Sequence, residues 1–158
     1  MVDVSHPTKP TKQTEIKLEH TYKGCVHWYE FCGDFKAKTI DDIHPCIIIG
    51  KDNPKSKRVI ISPISDVDNY IKPDGKLKYP YHVLLKKSIY KFLEKDCVVL
   101  LDQVFTIPRE VLFEEWYMGQ VDQVREIDEA IMQNYDLIST ISDLLNELVE
   151  KIVQEQNA

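Results

Sequence analysis

The chain has 158 residues, of which 43% are hydrophobic and 29% charged, and a formal net charge of −6. That is enough apolar material for one ordinary core. No apolar run reaches the roughly 20 residues that span a bilayer, and MVDVSHPTKPTKQTE lacks the apolar centre of a secretory leader, so a cytoplasmic protein with no membrane partner is expected. Cys25, Cys32, Cys46 and Cys97 are irregularly spaced and contain no CxxC pair, which argues against a disulfide framework.

Residues 1–21, rich in Thr, Lys and Pro, read as a mobile arm. Strand-like segments follow at Cys25 to Phe31, Pro45 to Gly50, Arg58 to Ile64, Tyr81 to Leu85 and Cys97 to Ile107, separated by turn formers such as KDNPKSK and KPDGK. Lys86 to Glu94 has room for one helical turn. Five short strands without long intervening helices predict a compact, strongly bent antiparallel sheet or small barrel. After Pro108 the period changes. Val111, Leu112 and Trp116 recur at helical spacing up to Gly119, and a further helix is expected from about Asp122 to Tyr135 with Val124, Ile127 and Ile131 on one face. Ile138, Ile141, Leu145, Leu148 and Ile152 then follow a three-four-three-four spacing, a heptad seam of about two repeats. Such a stripe either packs on the barrel, its commoner use, or pairs with a second chain.

Charge is unevenly distributed. Residues 51–95 hold 11 Lys/Arg against 5 Asp/Glu, whereas residues 96–158 hold 3 against 14. A basic central block attracts phosphates even in an acidic chain, and Lys51, Lys57 and Arg58 are its candidate contacts, although lysines on strand loops also serve solubility. Cys25 and His27 share a strand face, but no second pair completes a tetrahedral metal site, and Asp34, Asp41 and Asp42 lack the glycine and glutamate of a calcium loop; no metal or other cofactor is expected. Trp28, Tyr29 and Phe31 suit base stacking, or a core face backed by a dimer contact.

The stretch KDCVVLLDQVFTI sets Asp102 and Gln103 inside an apolar, β-branched run, where burial costs several kcal/mol unless both side chains find partners or reach the surface. It resembles the "VVLLxQhRTI" strand of the PemK/MazF toxin family. HPCIIIGK, His44 to Lys51, is similar to that family's "RPVVII", and YPYHVL, Tyr79 to Leu84, to its "LPTHVxL". The three motifs occur in family order, and the resemblance covers about residues 22–137.

That resemblance implies an α+β fold, a small SH3-like antiparallel β-barrel with C-terminal helices. It divides the chain into the arm (1–21), a barrel domain (22–136) and an additional amphipathic helix (137–158). It also implies the toxin of a type II toxin-antitoxin system: a metal-independent endoribonuclease cleaving single-stranded RNA through the substrate's own 2′-hydroxyl, working as a homodimer and restrained by an antitoxin protein. The family's catalytic arginine falls on His44 and its threonine on Ser65; Asp102 matches a carboxylate position, and Gln103 and His82 match RNA-contacting positions. Histidine keeps acid-base chemistry near neutral pH but lacks the guanidinium's permanent charge and two-pronged phosphate grip. A catalytically inactive barrel that binds protein or RNA is the alternative reading.

Overall fold

The computed structural model describes residues 7–8 and 19–158. Seven strands form one curled antiparallel sheet: β1 (Cys25–Phe31), β2 (Asp42–Ile48), β3 (Arg58–Asp66), β4 (His82–Leu85), β5 (Cys97–Leu100), β6 (Phe105–Pro108) and β7 (Tyr117–Gln120). Their order is β4-β5-β3-β2-β1-β7, with β6 also paired to β3. Two helices follow, α1 (Val124–Asn134) and α2 (Ile138–Gln156). The expected α+β class and bent antiparallel sheet are thus present.

Both faces of the central strands are covered, so their sequences read as continuous apolar runs. Val26, Ile47 and Ile64 point into one cluster with Val83, Leu85, Val99, Leu101 and Ile127. Their strand neighbours Cys25, Cys46, Ile48 and Ile61 point into a second cluster with Phe31, Val59, Ile107 and Leu112. Burial pushes the Cys46 thiol up to about 12 and the Cys97 thiol up to about 11, which leaves both as unreactive hydrophobes.

Two expectations on local structure are corrected. The segment expected as one strand, Cys97 to Ile107, is two: Gln103 N–H donates to Leu100 O at 3.1 Å, closing a turn between β5 and β6. The helix expected from Pro108 to Gly119 is instead two short 3₁₀ turns, Arg109–Val111 and Glu114–Trp116, running into β7. The ladder between β3 and β6 continues to Pro108, and Arg109 N–H then donates to Lys57 O at 2.8 Å, which fixes the backbone extended where an α-helix would have begun.

Helix α1 buries Ile127 and Ala130 against the sheet. Tyr90 Oη–H donates to Asp122 Oδ1 at 2.6 Å just before it, and Asn134 Nδ2–H donates to Leu101 O at 3.0 Å at its end. Asp136, with φ of 55°, turns the chain into α2. No residue of α2 is buried, so the barrel packing expected of its stripe does not occur.

The predicted mobile arm falls mostly outside the described residues, but its described parts touch the barrel. Trp116 Nε1–H donates to Thr8 O at 3.2 Å. The His20 ring stacks on Tyr117 with centroids 3.8 Å apart, and its Nδ1 lies 2.8 Å from Glu114 Oε2. Glu114 Oε1 also accepts from the backbone N–H of Glu19 and of His20. Burial pulls the Glu114 carboxyl upward, but these hydrogen bonds outweigh it and hold the group below its ordinary 4.5. The unfolded chain therefore binds the proton more readily. The stabilisation is complete above about 4.5 and is lost as pH falls through the lower folded value, so Glu114→Gln should flatten the acid limb of a urea-denaturation series between pH 5 and 2.

Gly119 is required by a close approach rather than by a turn: a Cβ there would sit 2.2 Å from Phe92 Cδ1. Gly119→Ala should cost about 1–3 kcal/mol in equilibrium unfolding. Phe92→Ala in the same chain should recover part of that loss.

Candidate active site

Strands β2 and β3 pair in a register that sets Cys46 opposite Pro63 and Ile47 opposite Ser62. His44 and Ser65 each lie two residues beyond the last pair of that ladder, at the same end of it. Both side chains line one cleft of about 580 Å³, with Trp28, Phe92, Leu93 and Met118 as its apolar walls. The aromatic strand β1 thus divides its roles. Trp28 faces the cleft, and Phe31 is buried with Tyr29 edge-on to it at 4.8 Å.

The same cleft contains a cation that the motifs did not single out. Lys95 lines it, with Nζ 3.2 Å from Asp66 Oδ2, and this hydrogen bond raises the lysine's pKa. In the sequence, Lys95 was one member of a basic block, and only the pairing of β3 with β5 brings it beside Ser65. No arginine lines this cleft among the described residues. The arrangement therefore offers an imidazole, a hydroxyl and an ammonium group around a partly apolar hollow. These suit proton transfer and stabilisation of negative charge on phosphate oxygens.

Asp102 and His82 form a separate pair. His82 Nε2 lies 2.9 Å from Asp102 Oδ1; the imidazole is 2% exposed and the carboxylate 38%. The rings of Tyr70, Tyr79 and Tyr81 enclose His82 edge-on, with centroids 4.9–5.3 Å away. Burial, then the Asp102 charge, raises the Tyr70 and Tyr81 hydroxyls. Asp102 does not line the cleft of His44 and Ser65. Ser65 pairs with Val98 within β5, whereas Asp102 lies beyond the end of that strand, in the turn after Leu100.

Gln103 reaches in another direction: its Oε1 accepts from Ile40 N–H at 2.8 Å, tying down the loop that delivers His44. Asp34 and Asp41 stabilise that loop from within, accepting from Ala37 N–H and Gly33 N–H. Lys51 and Arg58 line a different cleft, of about 610 Å³, at the start of β3, and Lys57 borders a third with Arg58 and Arg109. Arg58 and Ser65 are seven residues apart on β3, about 23 Å. The structure thus brings His44 and Ser65 together, adds Lys95, and leaves Asp102, His82, Gln103, Lys51, Lys57 and Arg58 at other positions.

His27, weighed with Cys25 as a ligand, is buried, and its Nε2–H donates to His20 O at 2.6 Å. Burial lowers its pKa and keeps the ring neutral. No group of three His, Cys, Asp or Glu side chains suited to a metal occurs among the described residues.

The hydrogen bond between the buried imidazole and Asp102 should matter first for folding. Asp102→Asn or Asp102→Ala should lower stability by about 1.5–3 kcal/mol in urea titrations. His82→Phe, which removes the buried polar ring together with its need for a partner, should cost less than Asp102→Ala.

Comparison with known proteins agrees with this architecture. Residues 22–135 match the family model described as PemK-like, MazF-like toxin of type II toxin-antitoxin system. Endoribonuclease MazF of Staphylococcus epidermidis is 34% identical over 101 residues, spanning 60% of this chain and 78% of that protein. Among solved structures, the Mycobacterium tuberculosis toxin MazF-mt6 superposes with a TM-score of 0.51 at 18% identity, covering 71% of this chain and 96% of that one. A mycobacterial endoribonuclease in complex with its cognate antitoxin gives 0.51 at 18% identity, covering 73% and 95%. At such identities the structures speak for the fold, and the family model for descent. The match ends at residue 135, so α2 lies outside it. Residues 22–135 thus carry the sheet and first helix of a known toxin fold, and the chain belongs to the PemK-like, MazF-like toxin family of type II toxin-antitoxin systems.

Proposed function

We propose that this chain cleaves single-stranded RNA without a metal ion, through the substrate's 2′-hydroxyl, and that it does so in the cleft shared by His44, Ser65 and Lys95. The observation that carries the reading is that two strands which need not have met set an acid-base group and a hydroxyl donor on one hollow, in a chain with endoribonuclease relatives.

In this reading His44 takes the proton of the 2′-hydroxyl as that oxygen bonds to phosphorus. Ser65 Oγ–H and the Lys95 ammonium hold the negative charge that builds on the non-bridging oxygens. The bond from phosphorus to the 5′-oxygen breaks, and the departing oxygen takes a proton from water reaching the cleft. The products are a 2′,3′-cyclic phosphate and a 5′-hydroxyl. Trp28 and Phe92 supply faces on which the flanking bases stack. The basic stretch from Lys51 to Arg58 follows the backbone of a longer strand, while Gln103 and the buried His82 act on the RNA only indirectly, through the segments they tie down. Asp102 acts through His82 as a positioning group. A second copy of the chain and an antitoxin protein are the expected partners.

The inactive binding module is favoured by one observation, the absence of an arginine from the cleft lining. One experiment decides between the two. Purified chain incubated with single-stranded RNA in EDTA should yield fragments with 2′,3′-cyclic phosphate ends. His44→Ala should slow cleavage by about 10²–10⁴, with Ser65→Ala and Lys95→Ala less impaired. Retention of RNA without cleavage by the folded wild-type protein would establish the binding module instead.

A further inference from the structure

Helix α2 is 19 residues long, about 28 Å, and none of its residues is buried against the described chain. Leu137, Ile138, Leu144, Leu145, Leu148, Val149, Ile152 and Val153 each leave 41–58% of their surface exposed. Most helical stability in proteins comes from packing of an amphipathic face, and a contiguous apolar face of this kind marks a contact surface. We infer that α2 is a self-association element, pairing antiparallel with α2 of a second copy of this chain.

Four observations favour that occupant. The seam Ile138, Ile141, Leu145, Leu148 and Ile152 follows the three-four spacing by which one helix packs into another, rather than a spacing suited to a flat sheet. The acidic residues Asp143, Glu147 and Glu150 all lie on the opposite face. The positions flanking the seam from 137 to 151 are Leu137, Ser142, Leu144, Val149 and Lys151, none of them acidic. Two equally acidic copies therefore meet without opposing like charges.

The available area is also adequate. Half of each of eight aliphatic side chains amounts to roughly 400 Å² of apolar surface at the usual area coefficient. A standard interface buries about 450 Å² of apolar area per partner. A membrane surface fits poorly, because interfacial helices carry Lys and Arg on the polar face, and this one carries carboxylates.

Direction follows from the last seam position. Glu155 continues the spacing after Ile152. Parallel pairing would set Glu155 against the partner's Glu155, whereas antiparallel pairing sets it at the end of the pair, beside the partner's Ile138. In that arrangement Ile141 of one copy lies next to the partner's Ile152, and Leu145 next to the partner's Leu148. This inference does not depend on the nuclease reading.

The test uses full-length chains carrying Cys32→Ser, which removes the exposed native thiol; Cys25, Cys46 and Cys97 are buried. One population adds Ile141→Cys and the other Ile152→Cys, and the two are mixed and oxidised gently. Antiparallel pairing predicts a disulfide between unlike chains several times more abundant than either disulfide between like chains. The yield should fall to that of an outward-facing control, Asp143→Cys mixed with Glu150→Cys, when Leu145→Asp is added to both chains. Predominance of like-chain disulfides overturns the arrangement, since a parallel pair would produce it. Absence of any disulfide above the control, with circular dichroism showing folded chains, also overturns it.

Discussion

Strand β3 is the constraint on which the rest of the fold depends. Its first half, Arg58 to Ile61, pairs with β6, and its last three residues, Ile64 to Asp66, pair with β5; Ile61 to Pro63 pair with β2 on the other edge. One nine-residue strand therefore serves three partners, and the sheet must curl to let it do so. Pro63 lies where β3 leaves β6 and has not yet joined β5. A central-strand proline is normally excluded because it removes a ladder donor, but here that position has no partner on the switching edge. Ser65, just beyond the switch, is thereby carried to the mouth of the cleft opposite His44.

The polar pair within the apolar run of β5 is explained by the same switch. After Leu100 the chain turns out of one pairing and into the next, and Asp102 and Gln103 occupy that turn. Each side chain meets a distant partner, Asp102 the buried imidazole of His82 and Gln103 the backbone of Ile40. One dipeptide thus fastens both the edge strand β4 and the loop leading to His44. Its cost in desolvation is offset by hydrogen bonds that link parts of the chain far apart in sequence. Gln103 therefore bears on the cleft without lining it, through the loop leading to His44.

The barrel and the tail obey different physics. In residues 22–135 most long apolar side chains of the central strands pack into a cluster on one face of the sheet or the other, Ile60 being an exception. In α2 none does. The boundary falls at Asp136, whose left-handed backbone ends α1 and directs α2 away from the sheet. A family fold complete in itself carries an appended helix whose apolar face the fold leaves uncovered, and that contrast is the reason to look for its partner outside the single chain.

Local pattern was sufficient wherever a side chain's fate depends on its immediate neighbours. Alternation and β-branching marked the strand regions up to Ile107 but not β7, helical period marked α1 and α2, and the ordered motifs led to the family and its fold. Pattern failed where partners remote in sequence decide. Leu112 and Trp116 have helical spacing, yet the ladder that runs from β3 into Arg109 prevents a helix there. Cys97 to Ile107 reads as one strand because β-branching persists through a turn that only the change of partner along β3 requires. His44 was legible because it opens a motif, and Ser65 because the resemblance carries the family's threonine position onto it. Lys95 was not, because its place beside Ser65 exists only once β3 and β5 are paired. Composition and period determine which residues enter strands and helices; which polar groups share a hollow depends on strand order and register, which no short window of sequence encodes.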